Sequence, residues 1–455
     1  MPVELPEITS LRQLESIMRK AGVQTLLCKH LAPNDNSKNQ PYLGSDWSAL
    51  QVIPFGDISV DDDKAKGSKR DRFKAPVKFY WINPDGGQFV APRTMLILYP
   101  KYPEVRLSGF LLGAKVAPSR YMTSRTEGRI LFLGVTGDRR VLGHVIGPDN
   151  PVVAELKAKD LQLEGVFEVL FRVDSAGGTR AQLLAKLSEI HNMGWTKSFR
   201  LNSLGEAIPY GAANGGGYTL EGLLGIIPNG INEPDYLGWE IKQHKVTSLS
   251  KPLTGGAITL MTPQPTGGFY KDEGVIRFVR QFGYPDTRGR ADRLNFGGIH
   301  RHGSVCDKTG LQLELPGYNA ATGKIENIDG GLCLVSPDGT QAALWHFRTL
   351  LEKWNCKHAQ AAYIPSNNRG TGLDRAYRYG SLVALGSGTD FGRLLSAIAS
   401  GAVYYDPGIK LENAGSNNPQ PKHRSQFRTR PRDLSALYAR FEIVDTGTGQ
   451  ILESH

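Results

Sequence analysis

Pro234-Asp235-Tyr236-Leu237-Gly238-Trp239-Glu240-Ile241-Lys242 carries two carboxylates and a lysine in the pattern P-D-x4-E-x-K. Glu240 and Lys242 are two positions apart, so on a strand they share a face. Trp239 and Ile241 then turn to the opposite face, toward a core. Gly238 marks a short turn, and Asp235 stands before it, so its carboxylate can lie beside Glu240 across a hairpin. The three groups make a shallow acidic pocket with one cation. Such a pocket suits Mg2+, which takes oxygen ligands and keeps several waters. A bound divalent ion makes hydroxide available near neutral pH and stabilises charge building at phosphorus. Lys242 would orient that water or neutralise the developing charge. Taken alone, the stretch also fits a solvated, salt-bridged strand after an ordinary turn.

The residues upstream narrow the choice. Gly215-Gly216-Gly217 reads as a loop, Thr219 as a helix cap, and Leu220, Leu223 and Leu224 as an apolar stripe. Glu221 then falls in the first helical turn. It is either a third carboxylate for the pocket or a favourable partner of the helix dipole.

The run G-Y-T-L-E-G-L-L followed by E-P-D-Y-L-G-W-E-I-K-Q-H resembles the catalytic core of the MvaI/BcnI family of type II restriction endonucleases. The resemblance extends in order along the chain. Met193-Gly194-Trp195-Thr196 is similar to the family's helix-to-loop entry, and Gly256 to Thr262 to the strand after the active site. Ala343-Leu344-Trp345-His346-Phe347 with Leu350, Leu351 and Lys353 resembles a strand-then-helix module, and Tyr377-Arg378-Tyr379 a further strand. Lys422 to Arg428 resembles the C-terminal recognition loop, where His423 and Arg428 match best.

That resemblance covers roughly residues 185 to 445. It implies an α/β (α+β) nuclease domain of the PD-(D/E)XK fold over 181–455. It implies Asp235 and Glu240 as Mg2+ ligands, the Ile241 carbonyl as a further ligand, Lys242 as the group positioning the water, and Glu221 as a supporting carboxylate. The implied substrate is double-stranded DNA at a short CC…GG-type site, cut to leave a 5′-phosphate. The host of such an enzyme would carry a matching methyltransferase.

Composition fits this reading. The chain has 455 residues, too many for one ordinary core, and is 40% hydrophobic, enough for globular packing. No apolar run reaches membrane-spanning length. Met1 to Pro6 lacks a basic-then-apolar leader, so cytoplasmic residence is expected. Cys28, Cys306, Cys333 and Cys356 are widely spaced and form no C-x-x-C pair, so each is expected to be a small buried hydrophobe.

A net charge of +10 points to a polyanionic partner. Lys422, Arg424, Arg428, Arg430 and Arg432 fall close together with no acid between them. Beside a nuclease core this segment reads as a DNA contact, with His423, Arg424, Arg428 and Arg430 the candidates. Arginine can pair bidentately with guanine while its neighbours hold phosphates. Asp406 could accept from a cytosine amino group; as a residue before Pro407 it also fits a plain turn.

The first part of the chain has another texture. Val77–Ile82, Thr94–Tyr99 and Arg129–Val135 read as strands separated by Gly and Pro clusters, as in an antiparallel barrel or sandwich. A helix is expected over Ser10–Ala21, another over Arg180–Asn192, and a charged, glycine-containing loop over Asp61–Arg70. Lys29-His30-Leu31-Ala32-Pro33-Asn34-Asp35 with Lys38-Asn39-Gln40 resembles the start of the EcoRII effector domain, a DNA-binding pseudobarrel. The resemblance implies a mainly β, pseudobarrel-like domain over 1–180, with Lys29, Lys38, Asn39, Gln40 and Arg106 as DNA contacts. Residues 29–40 also fit a polar loop of Asx turns, and Arg106 an ion pair with Glu104. Such an effector domain joined to a nuclease resembles a type IIE arrangement, in which two copies of the target are bound.

Other chemistries lack their motifs. The chain has no G-x-x-x-x-G-K-[ST] and no G-x-S-x-G, and Gly386-Ser387-Gly388 lacks the rest of a dinucleotide fingerprint. His300-Arg301-His302 has no ligand spacing around it and fits a DNA-touching loop. Two rival readings remain: an antiviral effector nuclease of the same fold, whose N-terminal domain senses a partner or modified DNA, and a DNA-binding protein with a relic site. The intact Asp235, Glu240 and Lys242 weigh against the relic.

Overall fold

The computed structural model describes residues 7–45, 47–61, 71–173, 178–227 and 234–455. Of the charged segment expected over Asp61–Arg70, positions 62–70 lie outside the described residues, as do Met1 to Pro6. The chain divides into two compact units, Met1–Asp174 and Ser175–His455. Among the described residues no helix is long and apolar enough to cross a membrane.

In the first unit, Leu11, Leu14 and Met18 fall on one side of the helix Leu11–Lys20 and are buried. Ser10 caps it, its hydroxyl accepting from the Gln13 amide at 3.2 Å. The buried side packs with Leu26, Phe132, Leu142 and Val152 in one apolar cluster. Leu26, Phe132 and Leu142 come from a sheet whose order is Gln162–Glu164, Phe167–Arg172, Val23–Leu31, Arg129–Thr136, Val141–Ile146, Phe79–Ile82, Gln88–Val90. Only the pairing of Val141–Ile146 with Phe79–Ile82 is parallel there. A second, antiparallel sheet runs Tyr42–Gly44, Glu104–Ser108, Met95–Tyr99, Phe73–Pro76, Ser59–Val60.

The second unit is mixed α/β. The long strand Gln360–Arg369 is its axis. Glu240–Lys245 pairs with it in parallel, with Glu240 opposite Ala361 and Lys245 opposite Ser366. Leu382–Ser387 and Ala376–Tyr379 pair antiparallel with its two halves, and Arg440–Asp445 and Ile451–Ser454 extend the sheet. The helix Gly178–Asn192 buries Leu183, Leu184, Leu187 and Ile190 in a cluster with Trp239, Ile241, Ile364 and Tyr377. The inward turn expected of Trp239 and Ile241 is therefore found: each is 4% exposed.

One local reading is corrected. The glycines before Thr219 are not a loop; they are the first turn of a helix, Gly215–Leu223, that begins after Asn214. Thr219 lies inside it, fully buried, and its hydroxyl bonds both the amide and the carbonyl of Phe199 at 3.2 Å. Glu221 is thus near the C-terminal end, which removes the favourable helix-dipole role. The helix tolerates glycine because its neighbours press on it. A Cβ on Gly215 would come within 2.4 Å of Ser198 Oγ, and one on Gly222 within 2.6 Å of the Phe199 ring. Close approach outweighs the entropic cost of glycine here.

Candidate active site

Tyr236 and Trp239 exchange both backbone hydrogen bonds, at 3.0 and 2.8 Å, around Leu237 and Gly238. Both central residues have positive φ, 50° and 82°, as a two-residue hairpin turn of type I′ requires. Glycine adopts this at no cost; Leu237 is the uncommon case. The turn folds Asp235 back so that its Oδ2 accepts from the Ile241 amide at 2.9 Å. Asp235 and Glu240 therefore stand on the two legs of one turn.

Glu240 is 1% exposed, and its Oε1 accepts from Lys242 Nζ. Its Oε2 is buried with no hydrogen-bond partner. A third group completes the arrangement, from the end of the helix Phe347–Lys357. Lys357 Nζ lies 3.8 Å from Glu240 Oε2 and 3.9 Å from Asp235 Oδ1. Those are ion-pair distances beyond hydrogen-bond reach, consistent with the unpartnered oxygen.

A cavity of about 640 Å³ opens here, its wall including Glu221, Glu240, Lys242, Thr259, Lys353 and Lys357. A hollow of about 250 Å³ adjoins it, bounded by Glu221, Ile241, Lys242 and Gln243. Burial, then the charge of Glu240, pushes the Asp235 carboxyl above its ordinary range, against the opposing effects of the Ile241 amide, Lys242 and Lys357. Burial and then Asp235 push Glu221 up in the same way. His358, stacked on Trp354 with ring centroids 4.1 Å apart, is held well below its ordinary value by burial and then by Lys242.

Glu221 thus shares the cavity with Glu240 and Lys242. Even so, among the described residues no three His, Cys, Asp or Glu side chains close into a metal cluster. A hard divalent ion does not need one, since it completes its shell with backbone oxygen and water. A buried carboxylate oxygen without a partner beside a second carboxylate is the donor set such an ion uses, so these residues fit it. Another groove of about 700 Å³, lined by Arg180, Glu189 and the 446–449 turn, has no paired carboxylates.

The basic segment sorts into two groups. His423, Arg424 and Arg430 are exposed, and His423 Nδ1 lies 2.8 Å from the Tyr270 hydroxyl. Arg428 is engaged instead. It donates to Asp406 Oδ2 at 2.6 Å and to the Ala257 carbonyl at 2.7 Å, so two expected contacts meet each other. In the first unit Lys38, Asn39, Gln40 and Arg106 line one hollow of about 620 Å³ with Asn34, Tyr99 and Arg125. Arg106 pairs with Glu104 and donates to the Asn39 carbonyl at 2.7 Å, which holds that loop in place. Lys29 is a correction: its side chain is 7% exposed and bonds Asp35 at 2.7 Å, so it does not face this hollow. Its strand position points it inward, where Asp35 satisfies its charge.

His300 is fully buried and bonds Thr309 Oγ1 at 2.8 Å, which removes it from the expected DNA-touching loop. Cys28, Cys306 and Cys333 are buried and free, as expected of small hydrophobes. Sequence reading passed over Lys357, His358 and Asn214 in the cavity wall. Lys353 and Lys357, four apart on one helix, were the available signal for the cations.

The family model of the MvaI/BcnI restriction endonucleases matches residues 184–438, and the chain belongs to that family. It is a type II site-specific deoxyribonuclease, a sequence-specific DNA endonuclease. Two solved structures of MvaI are similar to it. The complex of MvaI with its cognate DNA substrate is 18% identical, covering 59% of this chain and 99% of that one, with a TM-score of 0.44. MvaI without DNA is 15% identical, covering 60% and 99%, with a TM-score of 0.32. No curated protein sequence matches the chain.

Proposed function

We propose that the second unit is a PD-(D/E)XK nuclease that hydrolyses double-stranded DNA with Mg2+ at a short CC…GG-type site. The observation that carries the metal reading is the buried, unpartnered Oε2 of Glu240 beside Asp235. Asp235 and Glu240 would hold the ion, with the Ile241 carbonyl as a further ligand. When bound, such an ion lowers the pKa of a coordinated water and offsets phosphate charge. Lys242 orients the attacking water, and its ammonium opposes the negative charge that builds on the phosphate oxygens. Glu221 bounds the same cavity and is the supporting carboxylate. The water oxygen bonds to phosphorus, the bond to the 3′-oxygen breaks, and a proton passes to that oxygen. The products are a 3′-hydroxyl and a 5′-phosphate.

The hollow lined by Lys38, Asn39, Gln40 and Arg106 supports a second DNA site in the first unit, in an EcoRII-like effector role. Occupying it with another copy of the target would favour the competent state, which is the linkage expected of a type IIE enzyme. A methyltransferase of matching specificity would protect the host. The rival is an antiviral effector of the same fold that senses a partner or modified DNA. Digestion of a sequenced, unmethylated plasmid with Mg2+, followed by mapping of the ends, decides between them. Discrete fragments with one repeated end sequence support the restriction enzyme; no cutting without a further partner favours the effector.

A further inference from the structure

Each carboxylate of the turn has one oxygen in use. Asp235 Oδ2 takes the Ile241 amide and Glu240 Oε1 takes Lys242. The other two oxygens, Asp235 Oδ1 and Glu240 Oε2, share one neighbour, Lys357 Nζ, at 3.9 and 3.8 Å. They are the oxygens a divalent cation would take. We propose that Lys357 is a stand-in cation, held between Asp235 and Glu240 until a divalent ion displaces it. This rests on the metal reading above.

The electrostatics require something there. Glu240's side chain is 2% exposed, and a second carboxylate stands close by. Two such charges without a counterion would be costly to bury. Lys242 is hydrogen-bonded to one oxygen of Glu240 and leaves the other side of the pair unmet. Lys357 meets it from a distance. A magnesium ion bonds its oxygens at about 2 Å, which would bring it against the ammonium, so the two cannot share the place. Lys357 can leave readily. It is the last residue of its helix, its side chain is 28% exposed, and the helix's own terminal carbonyls attract a cation.

The test is calorimetric titration of the full chain with Mg2+ in the absence of DNA, repeated with Mn2+ and followed by its spin resonance. Lys357→Met should bind either ion about tenfold more tightly than wild type, because one competing charge is gone. Lys357→Arg should stay near wild type. Metal-free Lys357→Met should melt lower than wild type and gain more from saturating Mg2+; Lys357→Gln serves if the methionine variant does not fold. Equal or weaker metal binding by the neutral variants would overturn the proposal. The double variant Asp235→Asn, Glu240→Gln separates the two ideas. If wild-type binding survives it, the ion sits elsewhere and the site reading itself fails. If binding disappears yet Lys357 is without influence, only the stand-in fails.

Discussion

The Ile241 amide donates to Asp235 Oδ2 at 2.9 Å, so the first carboxylate is anchored to the strand that carries the second. Asparagine keeps an oxygen for this bond, whereas alanine does not. Asp235→Asn should therefore lose Mg2+-dependent plasmid cleavage while melting no lower than wild type. Asp235→Ala should lose cleavage and also about 1 kcal/mol of stability. Paired cleavage and thermal-melt assays check both.

Lys242 touches Glu240 and faces the cavity, with no part in the core. Lys242→Ala should lower the cleavage rate by about a hundredfold or more while duplex binding in Ca2+ stays within a few-fold. Cleavage at the wild-type rate would remove Lys242 from the reaction.

The pH response of stability follows from Asp235. Its folded value is raised above the ordinary 3.8, so the native state keeps a proton that the unfolded chain releases. Stability from this group is present below 3.8 and is lost as pH rises through the folded value. Asp235→Asn has no such loss. Without metal, the variant should gain on wild type as pH climbs above 3.8, and Mg2+ should close the gap by stabilising the ionised pair. Melting curves across that range, with and without Mg2+, give the sign directly.

Arg428 and its exposed neighbours should separate by assay. Arg428→Ala strips Asp406 of its partner and the Ala257 carbonyl of a donor, costing about 1–3 kcal/mol of stability. Arg424→Ala and Arg430→Ala should leave the melting temperature alone, weaken DNA binding, and reduce the salt slope of affinity by about one where a phosphate is lost.

In the first unit, Lys38→Ala and Asn39→Ala leave the catalytic cavity untouched. They should slow cleavage of a two-site plasmid toward the one-site rate while sparing one-site cleavage. Equal rates on both plasmids for wild type would remove the effector role.

The turn and strand of the site could be read from sequence because their geometry is local: alternation aimed Trp239 and Ile241 inward, and Gly238 marked the bend. The helix at Ser10–Ala21 was readable for the same reason, through Leu11, Leu14 and Met18. What failed was non-local. Three glycines looked like a loop because nothing in the sequence says that Ser198 crowds Gly215 and Gln243 crowds Gly216. Lys29 looked available because its partner Asp35 reaches it only through the loop's return. Lys357 enters the site because Gln360–Arg369 lies parallel to Glu240–Lys245, a pairing that no short window reveals.

The spacing of Asp235 and Glu240 is set by a bend of two residues, whereas Glu221 is brought in by a docked helix. Warming loosens docking before it loosens a tight bend. Near the melting temperature the enzyme should thus retain its grip on an ion after Glu221 has drifted, and become slow before it becomes metal-free.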